Sequence, residues 1–352
     1  MSEVSGNDLD YLTARLHGRR SRLAETGRLD SLCGIRSLPE LASVLCPKLE
    51  LPALGDLQRR LSQELVQEVS SWLPSVAGAG GDLVGWCLAR FQIENIKVLL
   101  RKFSSPTPLE APEGYLVSLP QNLALDAKSL LAAGSLGEFV RLLPPGPPRR
   151  SLRQALEIYR EPRPFFLEGA LDRGYFQELL ARARLVTGED QQLIQEVVLQ
   201  EIDGFHLLLA ARGKFDYQLA PELLLPLHVK GGGIPREQFA AMLAAADITA
   251  VARLAQGHGI DGLGSEAGLG DGSPTIDASG LEVLVWKRFW RLSNRAFRRS
   301  HLGLGAVVGY LGLKRVEIAN LITLSEGIGL AMPQGALRVR MIPRPDMQSV
   351  YV

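Results

Sequence analysis

The chain has 352 residues, a formal net charge of +1 at pH 7, 46% hydrophobic residues and 22% charged residues. This length exceeds what one simple hydrophobic core serves and predicts two or three domains, while the balanced charge excludes both a disordered chain and a general binder of polyanions. The three cysteines (Cys33, Cys46 and Cys87) form no C-x-x-C pattern, which excludes a disulfide framework and a zinc ribbon and favours a reducing compartment.

Neither a signal peptide nor a membrane span is predicted. The first residues have no basic end followed by an apolar run. The longest uncharged apolar stretch, residues 300–313, has roughly fourteen residues, whereas a membrane-spanning helix needs about twenty. We therefore expect a protein that is soluble or at most peripheral on a membrane.

Helical patterns follow one another along the chain, and no segment shows the convincing alternation that is typical of a β-strand. Capping boxes predict helix starts at Ser37, Ser135 and Ser151, because each hydroxyl can accept from a backbone N–H and a Glu or Gln follows three residues later. Gly213 and Gly327 each follow a long helical pattern and predict helix ends. The predicted fold class is all-α.

A two-part pattern occurs three times and predicts three similar helical units. Its first part is an apolar pair whose copies are spaced by 98 and 100 residues: Leu41 and Leu45, Phe139 and Leu143, Phe239 and Leu243. Its second part, called here a polar pair, has copies spaced by 111 and 114 residues: Gln92 and Asn95, Asp203 and His206, Glu317 and Asn320. We place the units at residues 1–112, 113–228 and 229–352. The third contains a Gly-rich region, residues 256–280, that is predicted to be a flexible surface loop.

The polar pairs lie on or beside apolar helix faces. Asn95 shares a face with Leu88, and His206 shares one with Leu199. A polar group buried in such a face needs a partner, since leaving it without one costs about 1–3 kcal/mol. Structural hydrogen bonds that fix how helices meet are the first interpretation. Contacts to another protein of a complex are the second, and a catalytic role has the least support.

A basic stripe is predicted on one late helix, where Lys287, Arg291, Arg295 and Arg298 recur at helical spacing among aromatic residues. It fits a solvated face over a packed aromatic core. It also fits contact with anionic lipid or an acidic partner. Nucleic acid binding is not expected, because the net charge is near zero and no DNA- or RNA-binding motif occurs.

The run Y-x-x-x-K-x-x-E-x-x-N-L, formed by Tyr310, Lys314, Glu317, Asn320 and Leu321, resembles the C-terminal signature of the C subunits of V/A-type rotary ATPases (ATP synthases) of archaea and bacteria. Their eukaryotic counterpart is the d subunit of the V-ATPase. Further segments resemble the same family, namely residues 10–15, 95–101, 167–179 and 230–232. The resemblance covers nearly the whole chain, although His206 replaces a usual Asn and Gln92 stands where Asp is usual.

The resemblance implies a funnel of three similar helical units around a pseudo-threefold axis. Its structural signature consists of Asn95, Asp203, His206, Tyr310, Lys314, Glu317 and Asn320. It also implies a non-catalytic role on the cytoplasmic face of the membrane. There the protein would connect the central shaft, made of D- and F-type subunits, to the membrane rotor ring of proteolipid subunits. It would transmit torque between ATP hydrolysis or synthesis and the movement of protons or sodium ions.

No cofactor, metal or catalytic site is predicted. The phosphate-binding pattern G-x-x-x-x-G-K-S/T is missing from the sequence. The glycines Gly303, Gly305 and Gly309 follow an Arg-rich helical pattern and not a strand, so we interpret them as sites of close helix packing. The five histidines show no metal-ligand spacing. The alternative to the rotor role is a stand-alone helical scaffold or binding module with a different partner.

Overall fold

The computed structural model describes residues 6–47, 53–104, 110–161, 163–261 and 276–343, and these residues form sixteen α-helices. Six of the helices are long: α4 (Leu54–Ser70), α5 (Gly78–Ser104), α9 (Pro164–Leu185), α10 (Gln191–Ala210), α14 (Ala278–Ser300) and α15 (Leu304–Gly329). The other ten are α1 (Gly6–Arg20), α2 (Thr26–Cys33), α3 (Leu38–Leu45), α6 (Ala127–Leu131), α7 (Leu136–Leu142), α8 (Pro147–Ile158), α11 (Pro221–Leu224), α12 (Arg236–Ala244), α13 (Ile248–Leu254) and α16 (Gln334–Arg340).

The all-α prediction is confirmed for this part of the chain, where β-pairing is limited to one isolated bridge between Gln256 and Ile260. Among the described helices, none combines the length and the apolar character that crossing a membrane requires.

Two of the three helix starts predicted from capping boxes are confirmed. The Ser37 and Ser135 side chains accept hydrogen bonds from the backbone N–H of Glu40 and of Glu138, at the starts of α3 and α7. The prediction for Ser151 is wrong, because α8 already begins at Pro147, a residue suited to the first helical position. Ser151 is instead buried inside α8, where it packs against α9.

The predicted helix ends at Gly213 and Gly327 are also wrong. Gly213 lies in a π-helical turn that continues α10, and Gly327 lies inside α15. Neither has a positive φ angle, so neither glycine serves as a left-handed cap. A Cβ atom on Gly327 would lie 2.1 Å from Leu337 Cδ2, and one on Gly213 would lie 2.8 Å from Leu224 Cδ2. These glycines are therefore needed for close packing.

The Gly-rich region is only partly described. Residues 256–261 form tight turns and α14 begins at Ala278, so the end of the predicted loop is helical. The predicted flexibility concerns mainly residues 262–275, which lie outside the described residues.

The six long helices form three consecutive pairs that pack in a closed circuit. Within the pairs, α4 packs on α5, α9 on α10 and α14 on α15; between the pairs, α5 packs on α9, α10 on α14 and α15 on α4. Glycine permits close contact between α14 and α15, since a Cβ atom on Gly309 would lie 2.4 Å from the backbone nitrogen of Phe297. This confirms the interpretation of that glycine as a site of close helix packing.

The apolar pairs lie at equivalent places in three short helices. Leu41, Phe139 and Phe239 are fully buried in α3, α7 and α12. In each case the residue four positions earlier is the N-cap, namely Ser37, Ser135 or Pro235. The first part of the repeated pattern therefore corresponds to a repeated local structure.

Candidate functional site

The asparagines of the first and third polar pairs make the same contact. Asn95 on α5 donates from Nδ2 to the carbonyl oxygen of Val117 at 2.8 Å and accepts from the N–H of Val117 at 2.9 Å. Asn320 on α15 makes the corresponding two bonds with the backbone of Ile342, at 2.6 and 3.1 Å. Each partner stands 22 residues after its asparagine. Both asparagines thus tie the following chain segment to a long helix.

The middle polar pair makes a related contact with different chemistry. His206 Nε2 accepts from the N–H of Val229, 23 residues later, at 2.9 Å. Since Nε2 is an acceptor, the neutral ring carries its proton on Nδ1, and that atom has no hydrogen-bond partner among the described residues. The His206 ring also stacks on His228, with ring centroids 4.6 Å apart. One backbone hydrogen bond therefore replaces the two that each asparagine makes.

The other member of each pair binds a second backbone group. Gln92 Nε2 donates to the carbonyl oxygen of Leu123 at 2.9 Å, while Asp203 Oδ1 accepts from the N–H of Ile234 at 2.9 Å, and both partners lie 31 residues downstream. Glu317 Oε1 instead accepts from the N–H of Ala24 at 2.6 Å, so the third pair connects the last long helix to the beginning of the chain.

Burial sets the protonation of the middle pair. It lowers the pKa of His206 to about 3, and the neighbouring His228 adds to this effect. Burial raises the pKa of Asp203 to about 6, and the hydrogen bond from the Ile234 N–H limits that rise. Among the described residues, no group of three or more His, Cys, Asp or Glu side chains is arranged to hold a metal ion.

Tyr310 and Lys314 complete the predicted signature and have structural contacts. Tyr310 is buried between the rings of Trp72 and Phe297, with centroids 5.8 and 6.1 Å away, and burial raises its pKa. Lys314 Nζ lies 2.5 Å from Glu317 Oε2 on the same face of α15.

The predicted basic stripe on α14 is largely engaged within the protein. Arg291 pairs with Asp261 at 2.5 Å, and Arg295 pairs with Glu196 of α10. Lys287 also has a partner within the chain, whereas Arg298 is exposed. The stripe therefore acts in part as a set of intramolecular contacts that hold α14 against its neighbours.

A cavity of about 460 Å³ lies among α5, α9, α10, α14 and α15. Four basic and five acidic side chains line it, so its charge is nearly balanced: Arg90, Lys97, Arg212, Arg315, Glu94, Glu168, Asp172, Glu201 and Glu282. Phe165, Tyr217 and Trp286 add aromatic surface. The cavity was not predicted from the sequence.

One sequence signal could have identified it. Arg90, Glu201 and Arg315 each stand five residues before Asn95, His206 and Asn320, the second members of the polar pairs. Charged residues recurring at that place in three apolar helices indicate surfaces that face one another.

Ion pairs join the long helices inside the cavity. Arg90 and Lys97 of α5 both bind Asp172 of α9, at 3.1 and 2.7 Å, and Arg315 of α15 binds Glu201 of α10 at 2.6 Å. Burial tends to raise the pKa of Glu94, but the charges of Arg90 and Lys97 outweigh burial and lower it. The Glu94 carboxylate therefore remains ionised near neutral pH, and the ion pairs hold the helices in register.

The cavity is suited to binding. One turn of an α-helix, with side chains about 10–12 Å across, occupies roughly 400–600 Å³. The volume of the cavity is therefore comparable to that of one helical turn, and aromatic and charged side chains line it.

The sequence matches known proteins along nearly its whole length. The sequence profile of the ATP synthase (C/AC39) subunit family matches residues 12–340. The A-type ATP synthase C subunit of Haloferax volcanii is 25% identical over 357 residues, which cover 97% of this chain and 99% of that protein. The protein of the same name from Methanocaldococcus jannaschii is 23% identical, covering 90% of this chain and 82% of its own length. With this match spanning the circuit of long helices and all three polar pairs, the chain belongs to the ATP synthase (C/AC39) subunit family.

Proposed function

We propose that this protein is the non-catalytic central-stalk socket of a V/A-type rotary ATPase. In this role it binds the D- and F-type shaft subunits on one side and the membrane rotor ring of proteolipid subunits on the other. It lies on the cytoplasmic face of the membrane and transmits torque between ATP hydrolysis or synthesis and proton or sodium ion transport. Family membership supports the complex, and the architecture supports the mechanical role.

The observation that carries the proposal is the cavity lined by five of the six long helices of the circuit, α5, α9, α10, α14 and α15. Its walls are close-packed and cross-linked by ion pairs, and close-packed interiors transmit strain instead of absorbing it. Its volume suits the last turn of a shaft helix. A helix tip held there would turn together with the whole circuit.

The repeated contacts of the polar pairs support three similar units at residues 1–112, 113–228 and 229–352. The bonds from Asn95 to Val117 and from His206 to Val229 cross the two proposed boundaries, so each unit is tied to the start of the next. The bond from Glu317 to Ala24 ties the third unit back to the first. This cyclic linkage is what a pseudo-threefold funnel requires. On α14, the ion pairs favour the structural interpretation of the basic stripe over lipid or ring contact.

The role is tested on membranes that lack this protein, with ATP hydrolysis and ion uptake measured in parallel. We expect hydrolysis by the soluble head to persist, because the chemistry lies in other subunits, and ion uptake to stop until the purified protein is added back. Ion uptake that continues at the normal ratio to hydrolysis would refute the socket role.

The cavity itself is tested by filling it. Leu208 lines the cavity on α10, so Leu208→Trp should block a helix tip and weaken binding of the purified shaft subunits roughly tenfold or more, a typical loss for a disrupted interface centre. Gln192→Trp, at an exposed position on the same helix, is the matched control and should bind normally. Equal binding by both variants, with unchanged melting, would exclude the cavity as the seat of the shaft.

A further inference from the structure

The second unit contains a basic helix that the polar pairs and the cavity do not explain. Helix α8 (Pro147–Ile158) buries Leu152 and Ala155 and packs against α9, on the opposite side from the cavity lining. Its outer surface carries Arg149, Arg150 and Arg153, which fall within an arc of about 100°. We call these three residues the arginine face.

The arginine face is unpaired, in contrast to the basic stripe of α14. None of its three guanidinium groups forms an ion pair or a hydrogen bond within the described part of the chain, and Arg150 and Arg153 are exposed. The one carboxylate on α8, that of Glu157, is exposed and forms no ion pair with them.

The local charge is high for this protein. Residues 141–163 contain six Arg and two Glu, a net charge of +4, although the whole chain has +1. The remaining residues therefore sum to −3. Moreover, Arg149 and Arg150 lie in the first turn or two of α8, where the helix dipole disfavours positive charge. Neither ion pairing nor helix stability accounts for these arginines.

The surroundings indicate the chemistry of a partner. Leu142 and Ile158, 47% and 54% exposed, lie at the end of α7 and the end of α8. Arginine is enriched at protein interfaces, and guanidinium groups bind carboxylates through two parallel hydrogen bonds. An extended polyanion, such as a membrane surface or RNA, would also approach the rest of the chain, whose net charge of −3 would repel it.

We propose that the arginine face of α8 is a docking surface for an acidic protein segment with flanking apolar residues. The surface is separate from the cavity, so such a partner binds independently of the shaft. The other two units lack a comparable helix in their described parts. In the first unit no described helix lies between α3 and α4. In the third unit the helix between α12 and α14 is α13, which has only seven residues. The docking surface is thus specific to the middle of the chain.

The test uses the purified full chain and a fluorescent peptide that alternates Glu with Leu, followed by anisotropy. The variant Arg149→Gln, Arg150→Gln, Arg153→Gln should bind roughly tenfold more weakly, because three guanidinium–carboxylate pairs are removed. The matched control, Arg291→Gln, Arg295→Gln, Arg298→Gln, removes the same charge from the α14 stripe and should bind within about twofold of the wild type. Circular dichroism melting confirms that both variants fold.

Further binding measurements distinguish among the possible partners of the arginine face. Raising the ionic strength from about 0.1 M to about 1 M shortens the Debye length from ~10 Å to ~3 Å and should weaken binding of the peptide. Phosphatidylglycerol vesicles and an RNA oligonucleotide serve as alternative probes. Equal weakening by both triple variants would overturn the proposal, as would vesicles or RNA binding through α8 more tightly than the peptide. If the α8 variant fails to fold, Arg150→Gln with Arg153→Gln, both exposed, replaces it.

Discussion

The middle polar pair differs from the first and third in how it closes the same structural contact. Asn95 and Asn320 each donate to and accept from one backbone residue, whereas His206 accepts from one N–H and leaves Nδ1 without a partner in the described structure. The polar residue stands at the equivalent place in each unit, but the side chain that forms the hydrogen bond differs.

The first members of the pairs show the same adaptation. Gln92 donates to a carbonyl, whereas Asp203 and Glu317 accept from N–H groups. Each side chain thus matches the backbone group that faces it, since an amide can donate and an ionised carboxylate can only accept. In all three pairs this side chain forms a hydrogen bond with a backbone group. Its residue type depends on whether that group is a donor or an acceptor.

The largest effect is expected from Asn320→Leu. This change leaves both the N–H and the carbonyl of Ile342 without their partner and should lower the free energy of unfolding by about 3 kcal/mol. His206→Leu leaves one N–H unsatisfied and should cost about 1–2 kcal/mol. Urea unfolding measures both. Asn320→Asp, which keeps the acceptor and loses the donor, should fall between them, and equal losses for the Asn and His variants would contradict the comparison.

A smaller loss, about 2 kcal/mol, is expected from Glu317→Leu, because the buried N–H of Ala24 loses its acceptor while Lys314 can turn towards solvent. Glu317→Gln keeps an acceptor oxygen and should lose less than half as much. Hydrogen exchange of the Ala24 amide reports the contact directly. Unchanged protection of that amide in Glu317→Leu would show that the chain ends are held together by other contacts.

Acid should weaken the contribution of His206. Its pKa is about 3 in the folded protein and near 6.5 in the unfolded chain, so below pH 6.5 the unfolded state binds a proton that the folded state does not. The stabilising contribution is complete above pH 6.5 and is lost progressively as the pH falls towards 3. Between pH 7.5 and 5 this amounts to about 1–2 kcal/mol.

The measurement compares the wild type with His206→Gln at both pH values. Asp203, whose pKa is raised to about 6, gains stability on acidification and opposes the His206 effect, but it is present in both proteins. The stability advantage of the wild type over the variant should therefore shrink from pH 7.5 to 5. An advantage that stays constant would mean that His206 is already accessible to protons in the folded state.

The smallest effect is expected from His206→Gln at neutral pH. The glutamine oxygen can reach the Val229 N–H, so the hydrogen bond survives and only the ring contacts with His228, Phe239 and Phe205 are lost, at a cost below about 1 kcal/mol. Thermal melting is sufficient to detect it. A loss as large as that of His206→Leu would show that the ring itself, and not its hydrogen bond, holds the segment.

Much of the fold could be predicted from the sequence, because helix patterns and caps are local. The all-α class and the caps at Ser37 and Ser135 depend on residues that are near one another in the chain. The errors had a tertiary origin. Ser151 fits a cap by local rules, but its hydroxyl is buried against α9; Gly327 fits a helix stop, but the contact with Leu337 is what requires a small residue there.

The site was predictable only in part. The polar pairs were found because they interrupt apolar faces, yet their partners, 22 to 31 residues away or at the opposite end of the chain, had no sequence signal. The basic residues of α14 and α8 are equally charged in the sequence. Only the structure shows that Asp261 and Glu196 engage the first group while the second remains unpaired among the described residues.

The positions of the helices, their apolar faces and the threefold recurrence of polar residues can all be read from spacing along the chain, because each depends on near neighbours. Other properties emerge from contacts between distant segments. The long helices close into a circuit, charged residues five positions before the second member of each polar pair meet at a cavity, and some arginines find carboxylates while others do not. Ion pairing and burial depend on which surfaces come into contact, and in this chain the contacts reach from α1 to α15.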